Sequence, residues 1–445
     1  MNRPLRVLIS AFACNPYRGS EEGVGWGWAH AAARRHEVHV ITAAFQRADI
    51  ERWYAQEGRH APRLHFHYVP ERRWHYRPSA RWRRVEDSLL KPLMNLAYAG
   101  WLREAGRLAR RLHARHRFDL LHVLTYVGFR FPGRYWRLPI PLVWGPIGGL
   151  EDVPWRVLPW LGAAGALFFA GRNLVNGLHK RLLVGPRRAM RRAAVVIAAT
   201  SGMQREIWRW YRRQSEVICE VGCAPLPEAA PALRRQGEPL RIAWSGKHLP
   251  GKALPLLLHA LAVLPPELDW QLVVLGAGPC TGRWRALAGR LGLEPRCEWT
   301  GWLERQQALA RLRQCHVFAI TSLHELTSTV LVEALSAGLP VVCPDAYGFR
   351  DAVSPACGIR YPVGQAGETI GRLARALAQL GADEALRRRL ALGALERSRA
   401  FCWERKARAL EAVYARALGK GGAAAAAGAR GAGREFEATA CMPGA

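Results

Sequence analysis

The chain has 445 residues, half of them apolar, so it is long enough for two or three average domains with buried cores. A single small module and a largely disordered protein are thereby excluded. The net charge of +30 is concentrated in residues 1–225, where 37 basic and 16 acidic residues give a net +21. Such a surface attracts nucleic acid, anionic lipid headgroups or phosphorylated substrates, and charge alone does not distinguish among these partners.

From residue 5 the chain alternates short apolar runs, typical of buried strands, with longer amphipathic runs, typical of helices. The first half contains six predicted strands: LRVLISAFA, HEVHVIT, LHFHYV, DLLHVLT, PLVWGP and AAVVIAATS. The segment GVGWGWAHAAARR between the first two strands is a predicted helix. Alternation of this kind indicates a parallel sheet covered by helices on both faces, so residues 1–225 are predicted to form a doubly wound, Rossmann-like α/β domain.

A second α/β series follows a break in the pattern. Residues 223–239, CAPLPEAAPALRRQGEP, contain four prolines and predict a linker, which we place at 226–239. Residues 240–400 then supply five predicted strands, LRIAWSG, WQLVVLG, RCEWTG, HVFAITS and PVVCPD, separated by helices such as KALPLLLHALAVL and ERQQALARLRQC. Two such domains facing each other leave a cleft, and ligands of open α/β sheets bind at the carboxyl ends of the strands.

The tail, the cysteines and the first apolar run indicate where the chain is ordered and in which compartment it is expected. Residues 419–445, rich in Gly and Ala, predict a disordered tail. The ten cysteines show no C-x-x-C spacing and are expected to be small buried side chains in a reducing compartment. The apolar start of the chain is predicted to be the first strand rather than a signal peptide, so we expect a cytoplasmic protein.

The apolar run VLPWLGAAGALFFAG at 157–171 is shorter than the roughly 20 residues that a spanning helix needs. Trp155 and Trp160 precede or begin it and basic residues follow it, which is typical of a helix that lies in a membrane interface. A buried core helix explains the same composition. The sequence leaves both interpretations open.

The loop SGKHLPGKALPLLL follows a predicted strand and opens a predicted helix. It places Lys247 and Lys252 around Gly246 and Gly251. Backbone amides at a helix start together with two cations suit a diphosphate. Two solvated lysines in a loop are the alternative, but lysine is rare in this arginine-rich chain, which favours a function for the pair.

A glycine-rich turn follows the first strand of the first domain. The run NPYRGSEEGVGW puts Gly19, Gly23 and Gly25 ahead of a predicted helix. Any tight strand-to-helix connection favours glycine, so this turn alone predicts little. The turn lies opposite the lysine loop of the second domain, which makes it stronger evidence for a ligand site.

Two acids belong to the segment HELTSTVLVEALSAGLPVV at 324–342. Thr327 or Ser328 is predicted to cap a helix that ends at Gly338. Glu325 then precedes the helix and points into the cleft, whereas Glu333 lies inside it among apolar neighbours. Burying an ionised Glu is costly unless hydroxyls or amides satisfy it, and a ribose diol is one such partner. A partly exposed helical residue is the alternative for Glu333.

The motifs together resemble a known family. SGKHLPGKALPLLLHAL, WQLVVLGAGP, CEWTGWL and HVFAITSLHELTSTVLVEALSAGLPVVCPDAYGFRDAV are similar to the donor domain of a family-four, group 1 glycosyltransferase of GT-B architecture. GSEEGVGWGW, HVLTYVGFRFP, WGPIGGLEDVP and FCWERKARALEAVY resemble one branch of that family, in the same order. The resemblance extends over roughly residues 5–417, and it implies that a helix at 401–418 crosses back to pack on the first domain.

The resemblance also implies roles for single residues. Lys247 and Lys252 would grip the donor diphosphate, Glu325 would contact the hydroxyls of the donor sugar, and Glu333 would bind the ribose. Gly23 and Gly25 would match the first-domain amides near the phosphates, and His122 would lie near the donor sugar, unless it is a strand histidine packed against its neighbours. The donor-binding set is Gly23, Gly25, Gly246, Glu333, Thr327 and Ser328. The chain departs from the family pattern where Leu326, Thr327 and Ser328 replace Gly-Phe-Gly, and where Lys247 replaces Arg.

The implied reaction moves a sugar from a nucleotide-diphosphate sugar to a glycan or lipid-linked acceptor with retention of anomeric configuration, in cell-surface polysaccharide or glycolipid synthesis. Lysines and a helix N-terminus would stabilise the leaving diphosphate, so no metal or other cofactor is expected. The acceptor would bind the first domain, where Glu151 is a candidate acid unless it is only a loop residue. The basic aromatic run RRWHYRPSARWRR at 72–84 and the candidate interfacial helix favour peripheral contact with an anionic membrane, at the inner face of the plasma membrane.

Other functions stay open at this point. A nucleotide-sugar epimerase would act without an acceptor, and a phosphorylase would carry a lysine for pyridoxal phosphate. A nucleic-acid-binding protein is disfavoured because no helix-turn-helix, zinc or RNP pattern accompanies the basic charge, and no nucleic acid partner is expected. The altered residues 326–328 also allow an inactive transferase.

Overall fold

A computed structural model describes residues 3–57, 61–70, 91–223 and 231–419. Three sequence predictions lie wholly or partly outside these residues: the basic run at 72–84, the first five residues of the linker at 226–230, and the tail from residue 420. Within the described residues, two parallel sheets account for all of the named strands.

The N-terminal sheet has seven strands in the order β3-β2-β1-β4-β5-β6-β7. The strands are β1 Arg6–Ala11, β2 Glu37–Ala43, β3 Leu64–Val69, β4 Leu120–Thr125, β5 Leu142–Ile147, β6 Val195–Ala198 and β7 Glu216–Val217. The helices that cover them are α1 Ser20–Ala33, α2 Arg47–Glu57, α3 Lys91–His116, α4 Gly162–Leu182, α5 Val184–Arg192 and α6 Ser201–Tyr211. All six predicted strands are confirmed. The two-residue β7 was not predicted because a strand that short has no apolar periodicity.

The C-terminal sheet has six strands in the order β10-β9-β8-β11-β12-β13. The strands are β8 Leu240–Ser245, β9 Trp270–Leu275, β10 Cys297–Gly301, β11 Val317–Ala319, β12 Val341–Pro344 and β13 Gly358–Tyr361. The helices are α7 Leu254–Ala262, α8 Thr281–Arg290, α9 Arg305–Arg313, α10 Thr329–Ser336, α11 Tyr347–Ala352, α12 Ala366–Ala382, α13 Glu384–Ser398 and α14 Trp403–Ala417. The five predicted strands are confirmed, and β13 was missed.

The sheets are buried on both faces, as the continuous apolar runs predict. In β1, Val7 and Ile9 pack into one core cluster and Leu8 into another, because successive side chains of a strand point to opposite faces. In β8, Ile242 and Trp244 occupy one cluster and Ala243 another. Both faces of each sheet are therefore covered, which leaves the strand ends as the place for ligands.

The last helix crosses back to the N-terminal domain, as the resemblance implies. Arg34 at the end of α1 donates to Glu404 of α14 at 2.5 Å, and Arg35 pairs with Glu411 at 2.8 Å. A Cβ atom at Gly27 would lie 2.1 Å from the Trp403 ring, so only glycine lets α14 approach α1 this closely. The predicted architecture, two Rossmann-like domains joined by a crossover helix, is confirmed.

Candidate functional site

A cleft opens where the N-terminal domain, the connection after β7 and the C-terminal domain meet. Its empty volume is about 490 Å³, part of it open to solvent. It is lined by Pro16, Arg18, Gly19, Ser20, Gly23, Val24, Trp26, Gly27, Val221, Gly222, Arg305, Thr329 and Trp403. Both the start of α1 and the start of α10 lie at this cleft, so two helix N-termini present their positive ends to the same space.

The lysine loop joins β8 to α7 at the carboxyl end of the C-terminal sheet. A Cβ at Gly246 would lie 3.6 Å from Cδ of Lys252, so the aliphatic part of this lysine passes over the glycine. The Lys252 carbonyl accepts a hydrogen bond from the Thr321 hydroxyl at 2.8 Å, which ties the loop to the end of β11. Lys247 is exposed, whereas His248 beside it is buried with Nδ1 2.7 Å from the Thr281 hydroxyl. The loop thus presents lysines rather than histidine to solvent.

Lys252 and Glu325 meet in an ion pair between the lysine loop and the segment after β11. Their side chains are 22% and 23% exposed, so both remain accessible to a ligand. An ammonium beside a carboxylate offers neighbouring sites for a phosphate and for sugar hydroxyls. The structure therefore places side by side Lys252, which was predicted to bind the donor diphosphate, and Glu325, which was predicted to contact the donor sugar.

The segment from Leu326 to Ser328 connects the donor side to the N-terminal domain. A Cβ at Gly148, just after β5, would lie 2.5 Å from Cδ1 of Leu326, and Leu326 packs against the N-terminal core. The Thr327 amide donates to Oε1 of Glu220 at 2.9 Å. Ser328 occupies the N-cap position of α10, but its side chain makes no capping hydrogen bond. The residues that depart from the family pattern thus form an interdomain contact.

Glu333 lies in α10, which is followed by Gly338 with φ of 73°, as predicted. Its Oε1 accepts from Nε of Arg305 on α9 at 2.8 Å, and its side chain is 12% exposed. Burial raises the pKa of Glu333, and the Arg305 charge opposes that rise. Arg305 was missed because it lies 28 residues away on another helix, and nothing in the arginine-rich run ERQQALARLR marks it.

The predicted turn containing Gly23 and Gly25 is wrong, because α1 already begins at Ser20 and both glycines lie inside it. A Cβ at Gly25 would lie 1.9 Å from the Ala13 carbonyl oxygen, so this glycine lets the helix pack against the end of β1. Gly23 does line the cleft. The backbone ahead of the helix is instead Arg18 and Gly19.

His122, predicted to lie near the donor sugar unless it is a packed strand histidine, is held inside the N-terminal domain. His122 is fully buried in β4, with Nδ1 2.9 Å from the Tyr414 hydroxyl and Nε2 2.7 Å from the Gly145 carbonyl oxygen. Burial lowers its pKa to about 4. Because both ring nitrogens are occupied by protein groups, the alternative of a packed strand histidine is the correct one, and its partner Tyr414 anchors α14.

Two carboxylates near the cleft were not predicted, the half-buried Glu21 and the buried Glu220. Oε1 of Glu21, in the first turn of α1, accepts from the Val127 amide at 2.6 Å, and Glu220 accepts from Thr327. Burial raises the pKa of each to about 7. The negative charges of Glu22 and Glu220 also raise the pKa of Glu21. Protonation of Glu220 therefore favours ionisation of Glu21. The Oε2 atom of Glu220 has no hydrogen-bond partner among the described residues.

Glu151 follows β5, and its side chain reaches the start of α6. Its Oε2 accepts from the Thr200 hydroxyl at 3.3 Å, and a Cβ at Gly202 would lie 1.9 Å from its Oε1. Burial raises its pKa. Asp351 of the C-terminal domain accepts from the Ser201 amide at 2.6 Å, so Glu151 sits beside a domain contact. An acceptor-side role for Glu151 stays a prediction.

Residues 227–397 match the family described as glycosyl transferases group 1. Over 257 residues the chain is 29% identical to a D-inositol 3-phosphate glycosyltransferase of Streptomyces bingchenggensis, which covers 53% of this chain and 56% of that protein. It is 31% identical over 150 residues to the lipopolysaccharide core biosynthesis glycosyltransferase LpsE of Rhizobium meliloti, covering 33% of this chain and 41% of that one. The chain thus spans about half the length of the curated relatives it matches.

Solved structures resemble nearly the whole chain. Sucrose-phosphate synthase from Thermosynechococcus elongatus superposes with a TM-score of 0.64 at 18% identity, over 94% of this chain and 100% of that one. Anabaena HepE in complex with UDP-glucose gives a TM-score of 0.55 at 19% identity, over 92% and 100%. At this level of identity the likeness establishes a shared fold.

Proposed function

We propose that this chain, whose residues 227–397 belong to the group 1 glycosyl transferases, moves a sugar from a nucleotide-diphosphate sugar to a glycan or lipid-linked acceptor. The observation that carries the proposal is the meeting of Lys252 with Glu325 beside Gly246, at the carboxyl ends of the C-terminal strands. The two side chains are 22% and 23% exposed, so a ligand can reach both charges.

The donor would lie along the C-terminal wall of the cleft. Lys247, Lys252 and the start of α10 would hold the diphosphate, Glu325 would take the sugar hydroxyls, and Glu333 would take the ribose diol. Arg305 holds Glu333 oriented and adds a third cation near the phosphates. Thr327 and Ser328 contribute backbone rather than side-chain caps to this wall.

Negative charge grows on the leaving diphosphate as the sugar becomes cationic. Preorganised cations and helix N-termini aimed at that charge are stabilising in the transition state, and removing one such donor elsewhere costs about 10²–10³ in rate. We propose that these groups serve without a metal cofactor. We also propose retention of anomeric configuration, with a diphosphate oxygen taking the acceptor proton on the face from which the diphosphate leaves.

The acceptor would bind the N-terminal side of the cleft. The net +21 of residues 1–225 favours an anionic or membrane-embedded acceptor, and the match to LpsE, whose name refers to lipopolysaccharide core biosynthesis, supports a role in polysaccharide or glycolipid synthesis. Glu151, whose side chain accepts from the Thr200 hydroxyl ahead of α6, is the acid we propose for the acceptor side.

The test is turnover with a panel of nucleotide sugars, each first screened by its effect on the thermal unfolding midpoint. We expect one donor to stabilise the protein, and release of its nucleoside diphosphate to need an added glycan or glycolipid acceptor and to continue in EDTA. The anomeric configuration of the product is read by NMR. Conversion of the donor without any acceptor would favour an epimerase and contradict transfer.

We further propose that α4 and α5 bind an anionic membrane. No helix of the described residues has the length and apolarity to span a bilayer. On α4, however, Leu167, Leu174 and Leu182 share one face at helical spacing and are 78%, 67% and 64% exposed. The arginines of α5 lie next to this face and are also exposed, namely Arg187, Arg188, Arg191 and Arg192. Val157 and Leu161, which precede α4, are buried, so the run 157–171 begins in the core and continues into a helix with exposed leucines.

Replacing Leu174 and Leu182 together by Ser is expected to weaken binding to anionic vesicles about thirtyfold. Each exposed leucine that enters the interface contributes on the order of 1 kcal/mol, and roughly 2 kcal/mol corresponds to that factor. Vesicle sedimentation with and without anionic lipid measures it. Leu392→Ser is the matched control, because Leu392 on α13 is 60% exposed but belongs to the other domain. Equal binding of the double variant and the wild type would contradict the proposal.

A further inference from the structure

A cluster of histidines lies on the N-terminal sheet at the end opposite the cleft. Glu37 and His39 belong to β2, and His65 and His67 to the edge strand β3. The parallel register pairs His39 with His65, and alternate residues of a strand share a face, so all four side chains project from the same side. The ring of His116, the last residue of α3, lies 4.4 Å from that of His39 between centroids.

We propose that Glu37, His39 and His65 bind a divalent transition-metal ion, and that zinc is the ion this donor set fits best. Within the described residues they form the one group of three His, Cys, Asp or Glu whose ligand atoms all lie within 4.8 Å of one another. Imidazole nitrogen and carboxylate oxygen are ordinary zinc ligands. The site lies outside the proposed transferase chemistry and does not depend on it.

The spacing of the ligand atoms is close to what zinc requires. Nε2 of His39 lies 3.5 Å and Nε2 of His65 lies 3.9 Å from the same atom, Oε1 of Glu37. With bonds of about 2.0–2.1 Å, ligand atoms at the corners of a tetrahedron are about 3.3 Å apart. These two distances must therefore shrink by only about 0.2 and 0.6 Å. The exposed ring of His65 can make this adjustment, and its exposure leaves room for water as a fourth ligand.

Outer hydrogen bonds already orient two of the ligands. Nδ1 of His39 lies 2.9 Å from Nε2 of His67, so a proton on Nδ1 directs the Nε2 lone pair toward Glu37. Oε2 of Glu37 accepts from Nε of Arg6 at 3.2 Å, which leaves Oε1 for the ion. Ligating histidines and carboxylates are held by such second hydrogen bonds, which fix the tautomer and the direction of the lone pair.

The charges around the site bear on its affinity for a cation. The positive charge of Arg6 opposes a cation, and the Asp119 carboxylate, which accepts from the Arg6 backbone amide at 2.8 Å, also pairs with Arg3 at 2.9 Å, so two arginines face the Asp119 and Glu37 carboxylates. The local charge is thus partly balanced, and we expect moderate affinity.

The ion would join the edge strand β3 to β2. Glu37 is the first residue of β2, and the carboxyl end of that strand lies six residues on, roughly 20 Å away at about 3.3 Å per residue. A metal there clamps the sheet edge without touching the cleft. Transferase turnover is therefore expected to be the same with and without zinc, whereas the resistance of β3 to hydrogen exchange is expected to rise on zinc binding.

The test uses the full chain without a polyhistidine tag, stripped with EDTA and then dialysed against Zn²⁺. We expect one bound Zn²⁺ per chain, and we expect His65→Gln to weaken binding at least tenfold, since even supporting residues of a zinc site contribute 10–100-fold. His259→Gln on α7, in the other domain, is the matched control and should bind as the wild type does. Circular dichroism verifies that each variant is folded.

A second variant and a second probe keep the outcome decisive. Glu37→Gln should weaken zinc binding as His65→Gln does, and Co²⁺ bound to the wild type should show a visible absorption band that both variants lose. Absence of stoichiometric zinc binding by the wild type would overturn the proposal. Zinc binding that is unchanged in both variants would place the metal elsewhere and overturn it as well.

Discussion

Lys252→Ala is expected to lower kcat about 10²–10³-fold with a much smaller change in donor affinity. Lys252 is positioned over Gly246 and paired with Glu325, so its ammonium is held where we propose that the leaving diphosphate gains charge. A cation that acts mainly on developing charge affects the transition state more than the bound donor. Release of the nucleoside diphosphate at saturating donor and acceptor measures kcat, and calorimetry measures donor affinity.

Two controls separate this effect from stability and from general charge. Arg290→Ala removes an exposed cation from α8 of the same domain and should leave kcat unchanged. Because Lys252→Ala also leaves the Glu325 carboxylate without its partner, the thermal unfolding midpoint is measured for each variant, and Lys252→Arg is expected to recover part of the rate. Full turnover by Lys252→Ala would refute the phosphate clamp.

The sequence predicted the strands and the lysine loop because local signals determine them. Apolar runs of four to eight residues mark buried strands whatever their partners are, and eleven predicted strands are present. The lysine loop follows β8 and Glu325 lies in the segment that follows β11, and strand ends of a parallel sheet meet at one edge. Position along the chain was therefore enough to place Lys252 near Glu325.

The sequence could not predict the roles of the α1 glycines and of His122, because these depend on contacts between distant segments. The glycines of α1 suggested a turn, since glycine costs about 1 kcal/mol in a helix relative to alanine. They are helical because the Ala13 carbonyl approaches Gly25 and the Trp403 ring approaches Gly27, and both contacts are tertiary. Likewise, His122 was misjudged because its partner Tyr414 lies 292 residues away.

The same reasoning explains the segment from Leu326 to Ser328. Its departure from the family pattern suggested an altered sugar contact or an inactive enzyme. The structure shows Leu326 packed against the N-terminal core and the Thr327 amide bound to Glu220 in the connection after β7. The residues that depart from the pattern therefore take part in the contact between the domains, and the Lys252–Glu325 ion pair is present as well.

Glu333→Gln is expected to weaken binding of the nucleoside diphosphate roughly tenfold or more, since a hydrogen bond to a charged group contributes about 1.5–3 kcal/mol. The substitution keeps the shape of the side chain but removes the charge that would bind the ribose diol. Calorimetry with the nucleoside diphosphate of the stabilising donor gives the affinity. Glu298→Gln is the matched control, because Glu298 also pairs with an arginine of α9, Arg311, but is exposed on the surface.

Arg305→Ala distinguishes a direct contact from an indirect one. If Glu333 binds the ribose itself, Glu333→Gln should weaken nucleoside diphosphate binding more than Arg305→Ala does. Arg305→Ala keeps the Glu333 carboxylate and removes only the partner that fixes its orientation. If Glu333 acts solely by holding Arg305 near the phosphates, Arg305→Ala should be at least as damaging and the two substitutions should not add. Unchanged affinity in Glu333→Gln would remove Glu333 from the donor site, and its burial beside Arg305 would then be explained by the ion pair alone.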